Sequence, residues 1–103
     1  MSLAEKKAEK LLKRHLSWFQ RLEYRKGYIC EQGKQTGLWY RLELDNCRVF
    51  VGEDVNTFHG YGCLAVIYTK LMPYADYLLT RLLLLRADET LFRKTARIIE
   101  REQ

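Results

Sequence analysis

Proline, serine and histidine are scarce in this 103-residue chain, which holds one, two and two of them respectively. Ser2 stands near the start, Ser17 lies in a helical stretch, and no Gly-x-Ser-x-Gly elbow occurs, so a serine hydrolase is excluded. One proline and six glycines, with 48% hydrophobic and 30% charged residues, exclude collagen-like and low-complexity chains. No linker composition or internal repeat is present, so residues 1–103 are expected to form a single compact domain. Met1-Ser2-Leu3 is compatible with a cloning leader.

A secretory signal is also lacking, because Met1 to Arg14 is rich in lysine and has no continuous apolar run. The longest apolar stretch, Cys63 to Leu85, carries Lys70, Pro73, Asp76 and Arg81. At about 2.5 to 3.5 kcal/mol per central charge, no membrane span is expected from it. The three cysteines, Cys30, Cys47 and Cys63, are odd in number and each sits in an apolar run, which predicts buried free thiols and a reducing, cytoplasmic setting.

Charge is present in excess of one sign. The formal net charge is +5, and it resides in Met1 to Gly27, whereas Tyr28 to Gly60 is net acidic. Ala4, Ala8, Leu11, Leu12, Leu16, Phe19 and Leu22 recur at three- and four-residue steps, predicting one amphipathic helix from Ala4 to about Arg25. Lys6, Lys7, Lys10, Lys13, Arg14, Arg21 and Arg25 fall on its opposite side.

Gly27 should close that helix, after which the period changes to two in Tyr28 to Gln32, Leu38 to Leu44 and Cys47 to Gly52. These runs predict a three-stranded antiparallel meander, turning through Gly33 to Gly37 and through a two-residue Asp45-Asn46 turn with positive φ. Such a turn sets Leu44 opposite Cys47, Leu42 opposite Val49 and Tyr40 opposite Val51 on the core face, with Glu43 opposite Arg48 and Arg41 opposite Phe50 on the other. After a loop from Glu53 to Gly60, Cys63 to Met72 is expected to be helical. Pro73 breaks it or opens a helix running through Leu85, and Asp88 caps a last helix striped by Leu91, Phe92, Ala96 and Ile99. The expected fold is therefore α+β, an N-terminal amphipathic helix and a three-stranded meander followed by two or three C-terminal helices packed on the sheet. This order is shared with double-stranded RNA-binding domains, but the lysine cluster those domains carry after the sheet is replaced here by Gly60-Tyr61-Gly62-Cys63-Leu64-Ala65, and nothing further is implied.

Catalytic and metal patterns are weak. Gly27 to Thr36 departs from a phosphate-binding loop in spacing and in its bulky Tyr28-Ile29-Cys30 filling. His59 and Cys63 would share a helix face, and a metal site would have to add Cys30 and Cys47, with intervals that match no zinc knuckle. His15 reads as a buried core histidine, and the pairs Glu53-Asp54 and Asp88-Glu89 read as a turn and a helix cap. No catalytic residue, metal or cofactor is implied, and a non-enzymatic role is expected.

Two functions follow. Tyr74, Tyr77, Leu78, Leu82, Leu83 and Leu84 belong to a helix apolar on all sides, which predicts self-association into a homo-oligomer or docking to another protein. The alternative is weak, sequence-independent nucleic-acid binding through Lys6, Lys10, Lys13, Arg14, Arg21 and Arg25, with Trp18 and Tyr24 for stacking.

Overall fold

Two helices, not one, precede the sheet. The structure is a computed structural model that describes residues 2–64 and 72–101. In it α1 spans Leu3–Arg14 and α2 spans Trp18–Arg25. Ser2 caps α1, its hydroxyl accepting from the Glu5 N–H at 3.1 Å. The expected continuous helix breaks at His15-Leu16-Ser17 because Ser17 offers the backbone an alternative. Its hydroxyl accepts from the Gln20 N–H (3.1 Å) while the Gln20 side chain accepts from the Ser17 N–H (3.0 Å), a reciprocal capping box. His15 is accordingly the half-buried C-cap of α1 rather than the centre of an apolar face. Gly27, at φ +96°, follows the end of α2 as its position in the sequence predicts.

The sheet has five strands rather than three: β1 Tyr28–Gln32, β2 Trp39–Glu43, β3 Arg48–Gly52, β4 Gly60–Cys63 and β5 Ile99–Glu100, antiparallel and in the order β1-β2-β3-β4-β5. The predicted register holds where the strands pair, with Leu42 opposite Val49, Tyr40 opposite Val51 and Arg41 opposite Phe50. The turn that sets it differs, for neither Asp45 nor Asn46 has a positive φ. Side-chain bonds shape it instead, the Arg48 N–H donating to Asn46 Oδ1 at 2.8 Å and Asn46 Nδ2 to Asp45 Oδ1 at 3.0 Å. β4 escapes the sequence reading because glycines occupy two of its four positions. Both are needed, since a Cβ at Gly60 would meet Val51 and one at Gly62 would meet the Ala96 carbonyl. The helix expected over Cys63 to Met72 is corrected at Cys63, which ends β4; residues 65–71 lie outside the described residues. Ile99, assigned to the last helical stripe, lies in β5 and is exposed.

One face of the sheet carries the core. Ile29, Tyr40, Leu42, Val49 and Val51 are buried there, joined by Ala8 and Leu12 of α1, Leu16, and residues of α3 (Tyr74–Ala87) and α4 (Glu89–Ala96). α1 packs on α3, and α3 packs on α4 and β2. Pro73 stands immediately before α3, and Asp88 ends α3 and caps α4, its carboxylate accepting from the Leu91 N–H at 3.0 Å. Arg81 is among the buried residues of α3, its guanidinium 4.2 Å from the Tyr77 ring centroid and bonded to the Glu43 carbonyl. Burial lowers its pKa to about 10, which leaves it charged at neutral pH.

Glu89 fastens α4 to the sheet. Its buried carboxylate accepts from the Gln35 N–H (2.8 Å), the Thr36 N–H (3.2 Å), the Thr36 hydroxyl and the Tyr40 hydroxyl (2.6 Å). Gly33 makes room for it, because a Cβ there would stand 2.3 Å from the carboxyl carbon. Burial pushes the Glu89 pKa upward, but these hydrogen bonds outweigh it and the net shift is downward. A carboxylate whose folded pKa is depressed adds stability above its unfolded value of 4.5, and that stability is lost as the pH falls through the folded pKa. Glu89→Ala should cost about 2–4 kcal/mol at pH 7 in urea unfolding, since the buried Tyr40 hydroxyl and three partly buried donors of Gln35 and Thr36 lose their acceptor. The variant should also lose part of the wild-type decline in stability below pH 4.5; equal acid sensitivity in both proteins would contradict this role.

Candidate interaction surface

The helix that packs on the edge of the sheet is turned inside out. α2 has the sequence Trp-Phe-Gln-Arg-Leu-Glu-Tyr-Arg, in which Gln20 and Glu23 share one face and Phe19 and Leu22 another. Gln20 and Glu23 are each only 6% exposed, whereas Trp18 is 73%, Phe19 57% and Leu22 42% exposed. This is the reverse of an ordinary surface helix.

Hydrogen bonding explains the inversion. β1 is an edge strand, and the main-chain groups of Cys30 point away from β2. The Cys30 N–H donates to Glu23 Oε1 at 3.1 Å, and the Cys30 carbonyl accepts from Gln20 Nε2 at 2.7 Å. The Gln20 amide also donates to Glu31 Oε1 at 2.7 Å, and its oxygen accepts from the Ser17 N–H and from Arg86 Nη2 at 3.4 Å. Arg86 of α3 in turn grips both Glu31 oxygens (2.8 and 3.2 Å) and the His15 carbonyl (2.7 Å). Neutral bonds of this kind contribute about 1 kcal/mol each and charged ones about 1.5–3 kcal/mol. Fully burying Trp18, Phe19 or Leu22 would contribute about 1.5–3 kcal/mol apiece, so the polar network competes on equal terms and leaves that burial unrealised.

The exposed side chains form a surface with relief. Val55, from the loop between β3 and β4, is also exposed and lines two adjoining depressions. One, of about 600 Å³, is bounded by Phe19, Trp39 and Arg86; the other, of about 210 Å³, by Phe19, Leu22 and Tyr28. The loop is held by Asp54, whose Oδ1 accepts from the Asn56 (2.7 Å) and Thr57 (2.9 Å) N–H groups, so the Glu53-Asp54 pair serves a turn as predicted. Arg14, Arg21, Arg25 and Lys26 are exposed on and beside α2. The Trp18 and Phe19 rings meet edge-on at 6.0 Å.

The residues singled out by sequence are dispersed. Of the basic set, Lys6, Lys10, Arg14, Arg21 and Arg25 are exposed, but the break at Ser17 divides them between two helices. Lys13 pairs with Glu9 at 2.9 Å, and Arg21 folds back to donate to the Lys13 carbonyl at 2.9 Å. Tyr24 is half-buried with its hydroxyl on Glu9 at 3.4 Å, and burial and Glu9 push its pKa up to about 12. Of the α3 set, Tyr77, Leu78 and Leu82 are buried in the single chain, Leu84 is half-buried, and only Tyr74 and Leu83 are exposed. Those two stand nine residues apart, a half-turn out of phase, so they do not form one stripe. The helix looked apolar all round because its core arc and its outer arc both carry leucine.

Cys47 and Cys63 are joined in a disulfide, which corrects the expectation of three free thiols and removes most of its support for a cytoplasmic setting. Arg48 lies opposite Cys63, so Cys47 is one residue beyond the paired position and its Cα comes within 4.9 Å. Only Cys30 is free, and burial beside Glu23 pushes its thiol up to about 12. His59 contacts Glu100 at 3.3 Å, and because Cys63 is in a strand the two do not share a helix face. Among the described residues, no three His, Cys, Asp or Glu side chains converge as metal ligands, and no helix is long and apolar enough to cross a membrane. Comparison with known proteins gives no family model, curated protein or solved structure that matches the chain.

The exposed state of Trp18 is open to direct measurement. Trp18→Phe should remove the red-shifted, acrylamide-quenched part of the tryptophan emission and leave the half-buried Trp39 signal. The same loss on Trp39→Phe instead would place α2 the other way round.

Proposed function

We propose that this chain is a non-enzymatic protein-binding module that assembles with an acidic partner through α2 and the neighbouring Val55 loop. The observation that supports this reading is the inversion of α2, which keeps polar side chains inside and offers Trp18, Phe19 and Leu22 to solvent. Tryptophan and arginine are the residue types that concentrate binding energy in protein interfaces, and here both sit on one eight-residue helix. The positive border formed by Arg14, Arg21, Arg25 and Lys26 favours a partner with carboxylates around an apolar centre. It disfavours a two-fold pairing of α2 with itself, which would bring like charges together. Self-association through α3 draws on less surface, since Tyr74 and Leu83 are its only fully exposed members of the predicted set.

Nucleic-acid binding is the second reading, favoured by the exposure of Trp18, on which an unpaired base can stack. Lys6, Lys10, Arg14 and Arg25 would then meet the phosphates, and about four such contacts on a single strand give a log-log salt slope near −2.8. The apolar character of Leu22 and Val55 fits a protein surface better.

A photoreactive phenylalanine analogue in place of Phe19, in cells that express the chain, should yield an adduct with a protein of acidic surface. The same analogue at Leu83 should not. Phe19→Glu combined with Leu22→Glu should abolish binding of the partner so identified while keeping unfolding stability within about 1 kcal/mol of wild type, as for other exposed positions. Adducts of this chain with itself at position 83 would favour the α3 reading, and adducts with RNA or DNA at position 19 the nucleic-acid reading.

A further inference from the structure

The second face of the sheet carries an apolar groove of about 870 Å³ at the edge opposite α2. Its composition follows from strand register. Arg48 lies opposite Cys63, and Phe50 lies opposite Tyr61, which lies opposite Ile99. Arg97, the left-handed cap that ends α4 two residues before Ile99, lines the groove together with Cys63. Two rows therefore cross β3 and β4 about 7 Å apart, two residues along a strand, one continuing to Ile99 of β5 and the other meeting Arg97 at the end of α4. One row is Arg48, the Cys47–Cys63 disulfide and Arg97; the other is Phe50, Tyr61 and Ile99, and all of them line the groove. The site is thus cationic at one end and apolar at the other.

The two arginines are uncommitted. Neither the Arg48 nor the Arg97 guanidinium has an ion-pair or hydrogen-bond partner among the described residues, and no acidic residue lines the groove. The nearest carboxylate of β5, Glu100, alternates to the other face and pairs there with Arg93 and His59. Arg97 reaches its place by an unusual route. It is the one described non-glycine residue with positive φ (53°), at a helix end where glycine is the usual occupant. Gly62 lets the end of α4 approach, since a Cβ there would stand 2.4 Å from the Ala96 carbonyl.

We propose that this groove binds a small amphipathic carboxylate, with its carboxylate between Arg48 and Arg97 and its alkyl or aryl body on Phe50, Tyr61 and Ile99. Charge complementarity selects an anion, because arginine forks match carboxylate oxygens, and Glu43, the cross-strand neighbour of Arg48 on β2, lies outside the groove lining and makes no ion pair with it. The short distance between the rows selects a ligand with one acid group close to one apolar body. This site lies beyond the α2 surface and does not depend on the reading of it.

Sodium decanoate, kept below its micelle-forming concentration and titrated into the full ¹⁵N-labelled chain, is the test. Saturable amide shifts are expected at Arg48, Tyr61, Ile99 and their neighbours. Arg48→Gln and Arg97→Gln should each weaken binding about tenfold, as loss of a charge-assisted hydrogen bond predicts, with the remainder of the spectrum unchanged. Decyltrimethylammonium, the same chain with the opposite head, should not shift these residues. The proposal is overturned by an absence of saturable shifts with decanoate, by equal shifts with the ammonium compound, or by undiminished binding in the double variant. Tighter binding of a tetrapeptide ending in leucine with a free carboxylate would overturn the small-molecule occupant in favour of a protein C-terminus.

Discussion

Gln20 is the residue on which the arrangement of this molecule turns. Its side-chain amide has two acceptor and two donor sites, and all four are used: Ser17 and Arg86 donate to its oxygen, and the Cys30 carbonyl and Glu31 accept from its nitrogen. The first bond ends one helix and begins another, the second reaches α3, and the last two close the open edge of β1. A buried amide so fully engaged resists replacement, because each partner left unsatisfied would carry its own desolvation cost. The direction of α2, and with it the exposure of Trp18, Phe19 and Leu22, is a consequence of where this one side chain is held.

Closing β1 in this way also deals with a hazard of open sheets. An uncovered edge strand invites pairing with another chain, and polar side chains of α2 occupy the outward groups of Cys30 before a stranger can. The opposite edge is finished differently, by the two-residue strand Ile99–Glu100 and the turn at Arg97. The two sheet faces are as unlike as the two edges. One is roofed by α1, α3 and α4, with Glu89 and Arg81 buried between the layers, and the other carries Arg41, Phe50, Tyr61 and the disulfide. Arg41 lies 3.9 Å above the Tyr28 ring on that second face, and Phe50 packs on Phe58 of the loop at 5.8 Å. An antiparallel sheet can leave one face unroofed, and here that face collects aromatic and arginine side chains.

Much of the fold is legible from the alternation of residue types. Tyr40, Leu42, Val49 and Val51 occupy one parity, so the β2–β3 register is set by which face they bury, and it survives a turn of a different kind from the one expected. Asp88 announces its helix because a carboxylate at that position has free N–H groups to accept. The break at Ser17 was also visible in the Ser-x-x-Gln spacing, but the apolar stripe running through it carried the stronger signal and concealed it. β4 was not visible, since Gly60 and Gly62 carry no side chain to alternate. The disulfide was hidden for a related reason: Cys47 and Cys63 are neighbours only once β3 and β4 have paired.

The α+β class, the first three strands with the register of the central pair, and the concentration of positive charge before Gly27 are all legible in the residue order, because each depends on spacing within a short stretch of chain. Which apolar residues face water depends instead on the packing of distant elements. Leu82 and Leu83 are adjacent and chemically identical, yet one is in the core and the other exposed, because α1, α4 and the sheet cover one side of α3 and not the other. In the same way Gln20 is inside and Trp18 outside because partners more than ten residues away in sequence, Glu31 and Arg86, satisfy the amide. A local pattern records hydrophobicity; burial depends on what the rest of the chain brings to the surface that the pattern offers.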